Sequence, residues 1–443
     1  MAQAAGRLAT LVGEVLGAPL PLRLRAWDGS EAGPVGTPVL VIRSRRALHR
    51  MLWKPGELGL ARAWVAGDID VEGDLYEALN RLAPVVWQRN GSEPDRLTLF
   101  DRRILGLAGR VLALAGPALP PAPPPEEAPP SRGPQHTLRR DRKAISYHYD
   151  VGNDFYARVL GPSFVYSCAY WDDPDSTTLE QAQFAKLDLV CRKLALRPGQ
   201  RLLDVGCGWG SMVLHAAEHY GVHAVGVTIS AEQADLARKR VVDAGLTDRV
   251  EIRVQDYRQI DDGPYDAISS IGMAEHVGSA AYRTYAEQLY GLLRPGGRLL
   301  NHQIARRPWD DENAYHIDEF IDRYVFPDGE LAPVGSTVST LEQAGFEVRD
   351  LESIREHYAL TLRAWVANLE RDWAEAVRLV SPGRARVWRL YMAASALAFE
   401  QNGIGVNQVL AVRTAPGGRS GLPLVRGTWG TPAKAVDESS EEF

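Results

Sequence analysis

Only three of the 443 residues are cysteine, at positions 168, 191 and 207. So few thiols, with no close pair, build neither a disulfide framework nor a zinc ribbon, and the composition fits the reducing cytoplasm. An excess of basic residues is also missing: 50 Lys and Arg stand against 56 Asp and Glu, a formal charge of −6. Nucleic-acid binding needs cationic surface to neutralise phosphates, so that class of partner is not expected. No uninterrupted apolar run is long enough to span a bilayer. The opening "MAQAAGRLATLVGEVLG" is not read as a signal peptide, because Gly13 and Glu14 interrupt its apolar run; the spacing is that of an amphipathic helix.

What is present divides the chain. At this length two domains are expected, and "GPALPPAPPPEEAPPSRGPQ" supplies the break. Repeated prolines lack amide donors and favour extended polyproline conformations, so 116–139 reads as a semi-rigid linker. Residues 1–115 read as a small α+β domain, with strands in "LRLRAW" and "VLVIRS" and helices in "RALHRML" and "DLYEALNRLAPVVW". Over 140–412 strands alternate with helices: "RLLDVGCG", "HAVGVTIS", "VEIRVQDY", "YDAISSIG" and "GRLLNHQI". Parallel strands need crossover helices, so this alternation predicts a doubly wound α/β sheet. Residues 413–443 are rich in turn formers and end acidic, which predicts a flexible tail.

"LLDVGCGWG" sets an apolar strand directly before Gly206, Gly208 and Gly210, with a helix following, as in loops that bring backbone close to a nucleotide. It lacks the GxGxxG spacing of a dinucleotide fingerprint and has no GK[ST], so neither a nicotinamide enzyme nor a nucleotide triphosphatase is favoured. After the second strand come the neutral groups Thr228, Ser230 and Gln233; after the third come Asp256 and Tyr257, beside where an adenine ring would lie. No metal-ligand spacing stands out. Plain structural roles stay open for the other polar positions. Cys168, between tyrosines in "YSCAYW", could be a buried small hydrophobe. Glu275 in "GMAEHVG" could cap a helix, His302 could be a satisfied core histidine, Tyr358 could be aromatic packing, and Gln233 could be an exposed helix residue.

Several motifs occur together in order: "HYDVGNDFY", "YSCAYW", "LLDVGCGWG", "GVTIS", "EHVG", "NHQI", "YVFPDGELAP" and "HYALTL". On these the stretch from about 140 to 412 resembles the cyclopropane-fatty-acid synthases and the mycolic-acid cyclopropane synthases, which are class I S-adenosylmethionine methyltransferases. The resemblance implies a Rossmann-like class I methyltransferase sheet with a helical cover over an acyl channel, here preceded by the small α+β domain. It implies S-adenosyl-L-methionine as cofactor, with Tyr149, Tyr166 and Ser167 on its methionine part and Gly206 and Gly208 beneath it. Thr228, Ile229, Ser230 and Gln233 would address the ribose, and Asp256 and Tyr257 the adenine. Cys168, Glu275, His302, Ile304 and Tyr358 match residues that enclose a bicarbonate ion, with Cys168 a donor to that anion and not a nucleophile.

The implied reaction is methyl transfer to the cis double bond of unsaturated phospholipid acyl chains, with bicarbonate taking the proton that closes a cyclopropane ring. The faces of Tyr149, Phe155, Tyr166 and Tyr170 are candidates for steadying the cation. Ala274 stands where the family often has a bulkier residue, which keeps a methylene or methyl-branched product open, the latter needing a downstream reductase. A methyltransferase for a small molecule or acyl carrier, and a noncatalytic lipid-binding protein, are the competing readings. Residues 306–335 and "YALTLRAWVANL" are expected to line an acyl tunnel. Arginine-rich and apolar stretches of the N-terminal region would dock the protein peripherally on the inner face of the membrane, unless they are merely solvated arginines. The sequence leaves a homodimer open.

Overall fold

The computed structural model describes residues 4–86, 102–117, 119–129, 137, 140, 151–312, 315 and 317–425. The chain divides into two compact units that are not single segments. Unit one comprises Met1–Arg132, His316–Pro327 and Leu369–Ala398; unit two comprises Gly133–Tyr315, Asp328–Asn368 and Phe399–Phe443. Among the described residues no helix is long and apolar enough to cross a membrane.

Unit one holds a four-stranded sheet in the order β2-β1-β3-β4, formed by β1 (Arg23–Arg25), β2 (Glu31–Ala32), β3 (Val39–Ile42) and β4 (Ile69–Glu72). The amphipathic opening is a helix, Ala4–Leu16, and it buries Leu8 in the same core as Leu22 and Leu24. The proline-rich stretch, expected as a spacer, is instead pinned where it is described. The Glu127 side chain is 2% exposed and accepts from Arg62 at 2.7 and 2.8 Å, from Arg323 at 2.7 Å and from the Tyr324 hydroxyl at 3.0 Å. A buried carboxylate this well paired holds its segment in one place.

Unit two is built on an eight-stranded sheet. Its strands are β5 (Arg201–Val205), β6 (His223–Thr228), β7 (Val250–Val254), β8 (Tyr265–Ile271), β9 (Leu293–Arg306), β10 (Ala332–Pro333), β11 (Glu347–Ser353) and β12 (Ile404–Val412). The order is β11-β12-β9-β8-β5-β6-β7, with β10 on β9; β5 to β9 run parallel, and β12 lies antiparallel between β9 and β11. This is the doubly wound sheet that the alternating pattern predicts, with an antiparallel edge added. The strand order reverses at β5, which has β6 on one side and β8 on the other, and ligands of open α/β sheets bind outside the carboxyl ends at such a point.

Period-two alternation sorts the sheet into two cores. Leu202, Leu300 and Leu410 face the helices Leu179–Leu194 and Ser211–Tyr220, while Leu203, Leu299 and Val409 face the helix Ser279–Leu292. Residues 302 and 304 of β9 therefore share the first face, and 301 and 303 the second. On the second face Asn301 and Tyr282 both donate to Gln303 Oε1, at 2.7 and 2.9 Å, so its buried polar groups are matched. Past β12, Arg298 donates to the carbonyl of Gly421 at 3.1 Å and Leu422 packs on the first core, so the expected tail is held at least that far. Residues 426–443 lie outside the described residues.

Candidate active site

A cavity of about 110 Å³ opens at the carboxyl ends of β5, β6, β7 and β8. Its floor is the glycine loop after β5. Gly206 and Gly208 adopt φ of +80° and +53°, which lets the chain turn there without a Cβ. A Cβ at Gly206 would stand 3.2 Å from Met273 Sδ. The loop is fastened from the side by "HYDVGNDFY": Asn153 Oδ1 accepts the indole N–H of Trp209 at 2.7 Å.

Of the residues expected to hold a nucleotide-like cofactor, Tyr166, Ser167, Gly206, Gly208, Thr228, Ile229, Gln233 and Tyr257 line this cavity. Gln233 is buried at 5% exposure, not an exposed helix residue, and its Oε1 accepts from Thr228 Oγ1 at 2.9 Å. Ser230 and Asp256 are engaged beside it. Ser230 Oγ caps the helix Ala231–Asp243 by accepting from the Gln233 amide, and Asp256 accepts from the amide and the guanidinium of Arg258. Tyr149 lies outside the described residues.

Two charged residues in the cavity wall were not anticipated. Asp204 lies within the quoted glycine motif, and burial pushes its carboxyl up to about 6, against the Ser269 hydroxyl, which donates to it at 2.6 Å, and the charge of Lys186. Lys186 comes from the helix Leu179–Leu194, and burial lowers its ammonium to about 8.

None of the second set of expected residues lines the cavity, and among the described residues only Glu275 and Ile304 of the five are hydrogen-bonded to each other. Glu275 Oε1 accepts the amide of Ile304 at 2.7 Å. Its other oxygen, Oε2, is sealed from solvent with no hydrogen-bond partner among the described residues. Burial pushes the carboxyl up to about 7, with the Ile304 amide opposing. Ile304 thus offers its amide to Glu275. His302, two residues earlier on the same face, is similarly placed: its Nε2 is sealed and has no hydrogen-bond partner among the described residues. Burial, with Lys186 and Lys193 nearby, holds the ring well below its ordinary value, so it is neutral.

The tautomer of His302 follows from its neighbours. Lys193 can only donate, and it donates to Gln408 Oε1 at 2.9 Å; this orients the amide so that Gln408 Nε2 donates to His302 Nδ1 at 3.3 Å. Nδ1 therefore accepts, and Nε2 carries the hydrogen. Sequence reading missed both supports, since Lys193 and Gln408 sit outside its motifs.

Cys168 is fully buried, and burial pushes its thiol well above the ordinary range despite Lys186. It is a neutral S–H aimed at the carbonyls of Ala169 and Ile354, at 3.2 and 3.6 Å, which is no setting for a nucleophile. Ile354 in turn donates to Val406, the partner of Ile304 across β9 and β12. Tyr358 lies one turn beyond Ile354, buried against Phe399 and edge-on to Trp365, and Trp365 packs on Tyr166 at 5.4 Å. Of the proposed cation-facing rings, Tyr166 lines the cavity and Phe155 is buried beside Tyr156. Tyr170 instead stacks on His357 and donates to Glu352. Among the described residues no group of three or more His, Cys, Asp or Glu is placed to hold a metal.

Residues 136–409 match the family described as mycolic acid cyclopropane synthetase. The chain belongs to that family. It is 44% identical over 414 residues to a probable fatty acid methyltransferase of Mycobacterium tuberculosis, covering 91% of this chain and 94% of that one. It is 40% identical over 279 residues to the cyclopropane-fatty-acyl-phospholipid synthase of Escherichia coli strain K12, covering 63% and 69% of the two chains. A crystal structure of a mycolic acid cyclopropane synthase complexed with SAH and CTAB matches with a TM-score of 0.58 and 33% identity, over 61% of this chain and 98% of that one. The protein is accordingly an S-adenosylmethionine-dependent methyltransferase of the cyclopropane and fatty acid methyltransferase family. The cavity fits that cofactor: it combines a glycine floor, neutral groups after β6, an aromatic after β7, and buried charges of both signs in one wall.

Proposed function

We propose that this enzyme methylates the cis double bond of unsaturated acyl chains in phospholipids at the membrane surface and closes a cyclopropane ring, with a bicarbonate ion as proton acceptor. The observation that carries the reading is the pair of sealed, unpartnered polar atoms behind the cofactor cavity, His302 Nε2 and Glu275 Oε2. Buried polar groups are almost always hydrogen-bonded, so two orphans tied to one strand support a small polar ligand that meets both. His302 offers N–H. Glu275, with its carboxyl near 7, accepts or shares a proton, which suits an anion that itself carries one hydrogen.

S-adenosylmethionine, when bound, supplies an electrophilic methyl. An alkene has no proton to remove beforehand, so its π pair makes the new carbon–carbon bond as the carbon–sulfur bond breaks, leaving a carbocation on the chain. Tyr166 presents an aromatic face that steadies positive charge without a nucleophilic lone pair. A proton then leaves the new methyl group and its bonding pair closes the ring; bicarbonate, held by His302, Glu275 and Tyr358, would receive that proton. Cys168 as a thiol, and His302 with its Nδ1 lone pair engaged by Gln408 and a hydrogen on Nε2, offer the cation no free nucleophile.

Ala274, buried beside Glu275, favours a second outcome from the same site. A small side chain there gives the cation room for a hydride shift, so that proton loss leaves a methylene group for a separate reductase. Incubation with labelled S-adenosylmethionine and monounsaturated phospholipid vesicles, with and without bicarbonate, tests the reading. Labelled ring or methylene in the acyl chain, dependent on bicarbonate, is expected. An unlabelled lipid fraction, or label in the head group, overturns it.

A further inference from the structure

Lys186 lies outside every motif that pointed to the site, yet it is 1% exposed and lines the cofactor cavity. Its helix carries it on the buried stripe with Gln183, Leu187 and Val190, where an apolar residue would be ordinary. An ammonium has three N–H donors and no acceptor. Among the described residues its one hydrogen bond goes to Ser167 Oγ, at 2.9 Å. No carboxylate among those residues is within ion-pair distance of it; the charge of Asp204 in the same wall reaches it through space, but Asp204 takes its hydrogen bond from Ser269. A buried cation without a directly bonded anion is costly, so two of its three N–H donors call for an acceptor from outside the chain.

Ser167 says the same. Its oxygen must accept from Lys186, which cannot accept in return, so the hydroxyl hydrogen is left to donate elsewhere, and Ser167 also lines the cavity. One ammonium and one hydroxyl donor above the glycine loop make a receptor for a carboxylate. Asp204 in the same wall is of the sign that would receive an ammonium. We propose that Lys186 is a positioning residue that reads the α-carboxylate of the cofactor's methionine part, by its charge and by fixing the Ser167 hydroxyl, so that the amino-acid end is held as a zwitterion. The inference rests on the cavity being the S-adenosylmethionine site. It also gives the charge of Lys186 a partner in a chamber where a bare cation would oppose the sulfonium.

The test is calorimetric binding to the full-length protein, wild type, Lys186→Met and Ser167→Ala. The ligands are S-adenosylhomocysteine and S-adenosyl-3-thiopropylamine, the same molecule without its carboxylate, with and without bicarbonate in the buffer. The wild type should prefer the carboxylated ligand. In Lys186→Met the affinity for S-adenosylhomocysteine should fall about tenfold or more, as for loss of a charged hydrogen bond, while the decarboxylated ligand changes by less than about threefold. Ser167→Ala should shrink the same preference, and it carries the test if the methionine variant does not fold. Equal weakening of both ligands, or no change in either, overturns the proposal. A loss seen only with bicarbonate present also overturns it and assigns Lys186 to that anion. Binding of neither ligand to the wild type removes the cofactor site itself.

Discussion

Glu275→Gln separates the charge of the carboxyl from its shape. In the wild type one oxygen accepts the Ile304 amide at 2.7 Å and the other is sealed without a partner. Burial therefore pushes the group from 4.5 up to about 7. A carboxyl whose folded value lies above its unfolded one holds its proton more tightly when folded. Stability from this group is present below pH 4.5 and is lost as pH rises through the window from 4.5 to 7. At about 1.36 kcal/mol per pH unit the loss is roughly 3 kcal/mol. That figure is a ceiling, because Glu275 as a whole residue is only half-buried even though its carboxyl end is enclosed. Glutamine keeps an oxygen for the Ile304 amide but does not titrate. The stability of Glu275→Gln relative to wild type should thus climb by about 2 to 3 kcal/mol between pH 4.5 and 8, with the variant the more stable at pH 8. Every other titrating group cancels in that difference. Urea unfolding followed by tryptophan fluorescence at both pH values measures it, and a difference that stays flat within about 0.5 kcal/mol refutes the reasoning. Turnover of the same variant should fall by about a hundredfold, since the proton it shares is gone, while binding of S-adenosylhomocysteine is unchanged.

Gln408→Leu cuts the link from Lys193 to His302; ¹⁵N spectra should show the Nε2–H tautomer losing its dominance, and kcat should fall about tenfold at unchanged cofactor affinity. An unaltered tautomer signature would count against the chain of hydrogen bonds. Gly206→Ala forces a Cβ into a φ of +80° and to within 3.2 Å of Met273 Sδ. It should cost about 1 to 2 kcal/mol and weaken S-adenosylhomocysteine, whereas an unchanged melting temperature contradicts the claimed strain. In unit one, burial raises the Glu127 carboxyl but Arg62, Tyr324 and Arg323 outweigh it and hold it below its ordinary 4.5. Its contribution is therefore present above that pH and fades as pH falls below it. Glu127→Ala should cost about 3 kcal/mol at pH 7, with the two unfolding curves converging in acid.

Strands β5 to β9 were legible because each is a short apolar run closed by glycine or polar turn residues, and crossover helices make their neighbours predictable. The edge of the sheet was less so. β11 reads "EVRDLES", a charged edge strand half-open to solvent, and β12 finds β9 only through antiparallel pairing with a strand distant in sequence. Such pairing depends on what surrounds the strand more than on its own residues. The proline-rich stretch was read from backbone chemistry alone, which argues for an extended spacer; the contacts of Ala122, Glu126, Glu127 and Ala128, invisible as such in the sequence, depend on residues far along the chain.

The site obeys one rule that explains both what was read and what was missed. Ser230 and Asp256 each find a partner within two or three residues, one accepting at a helix cap and the other folded onto Arg258. Asp204, Lys186, His302 and Gln408 are polar residues set among apolar neighbours on strands or a buried helix face, where no local partner exists and burial is costly unless something distant pays it back. Gln408 finds Lys193 and His302; Asp204 finds Ser269. Lys186, His302 and Glu275 keep hydrogen-bonding capacity unused among the described residues. Two of these lie within recognised motifs, and the third stands in "QFAKLDLV", where a lysine on the apolar stripe was the readable sign. The residue types in a motif therefore say less about a ligand than the hydrogen bonds the fold leaves unmade.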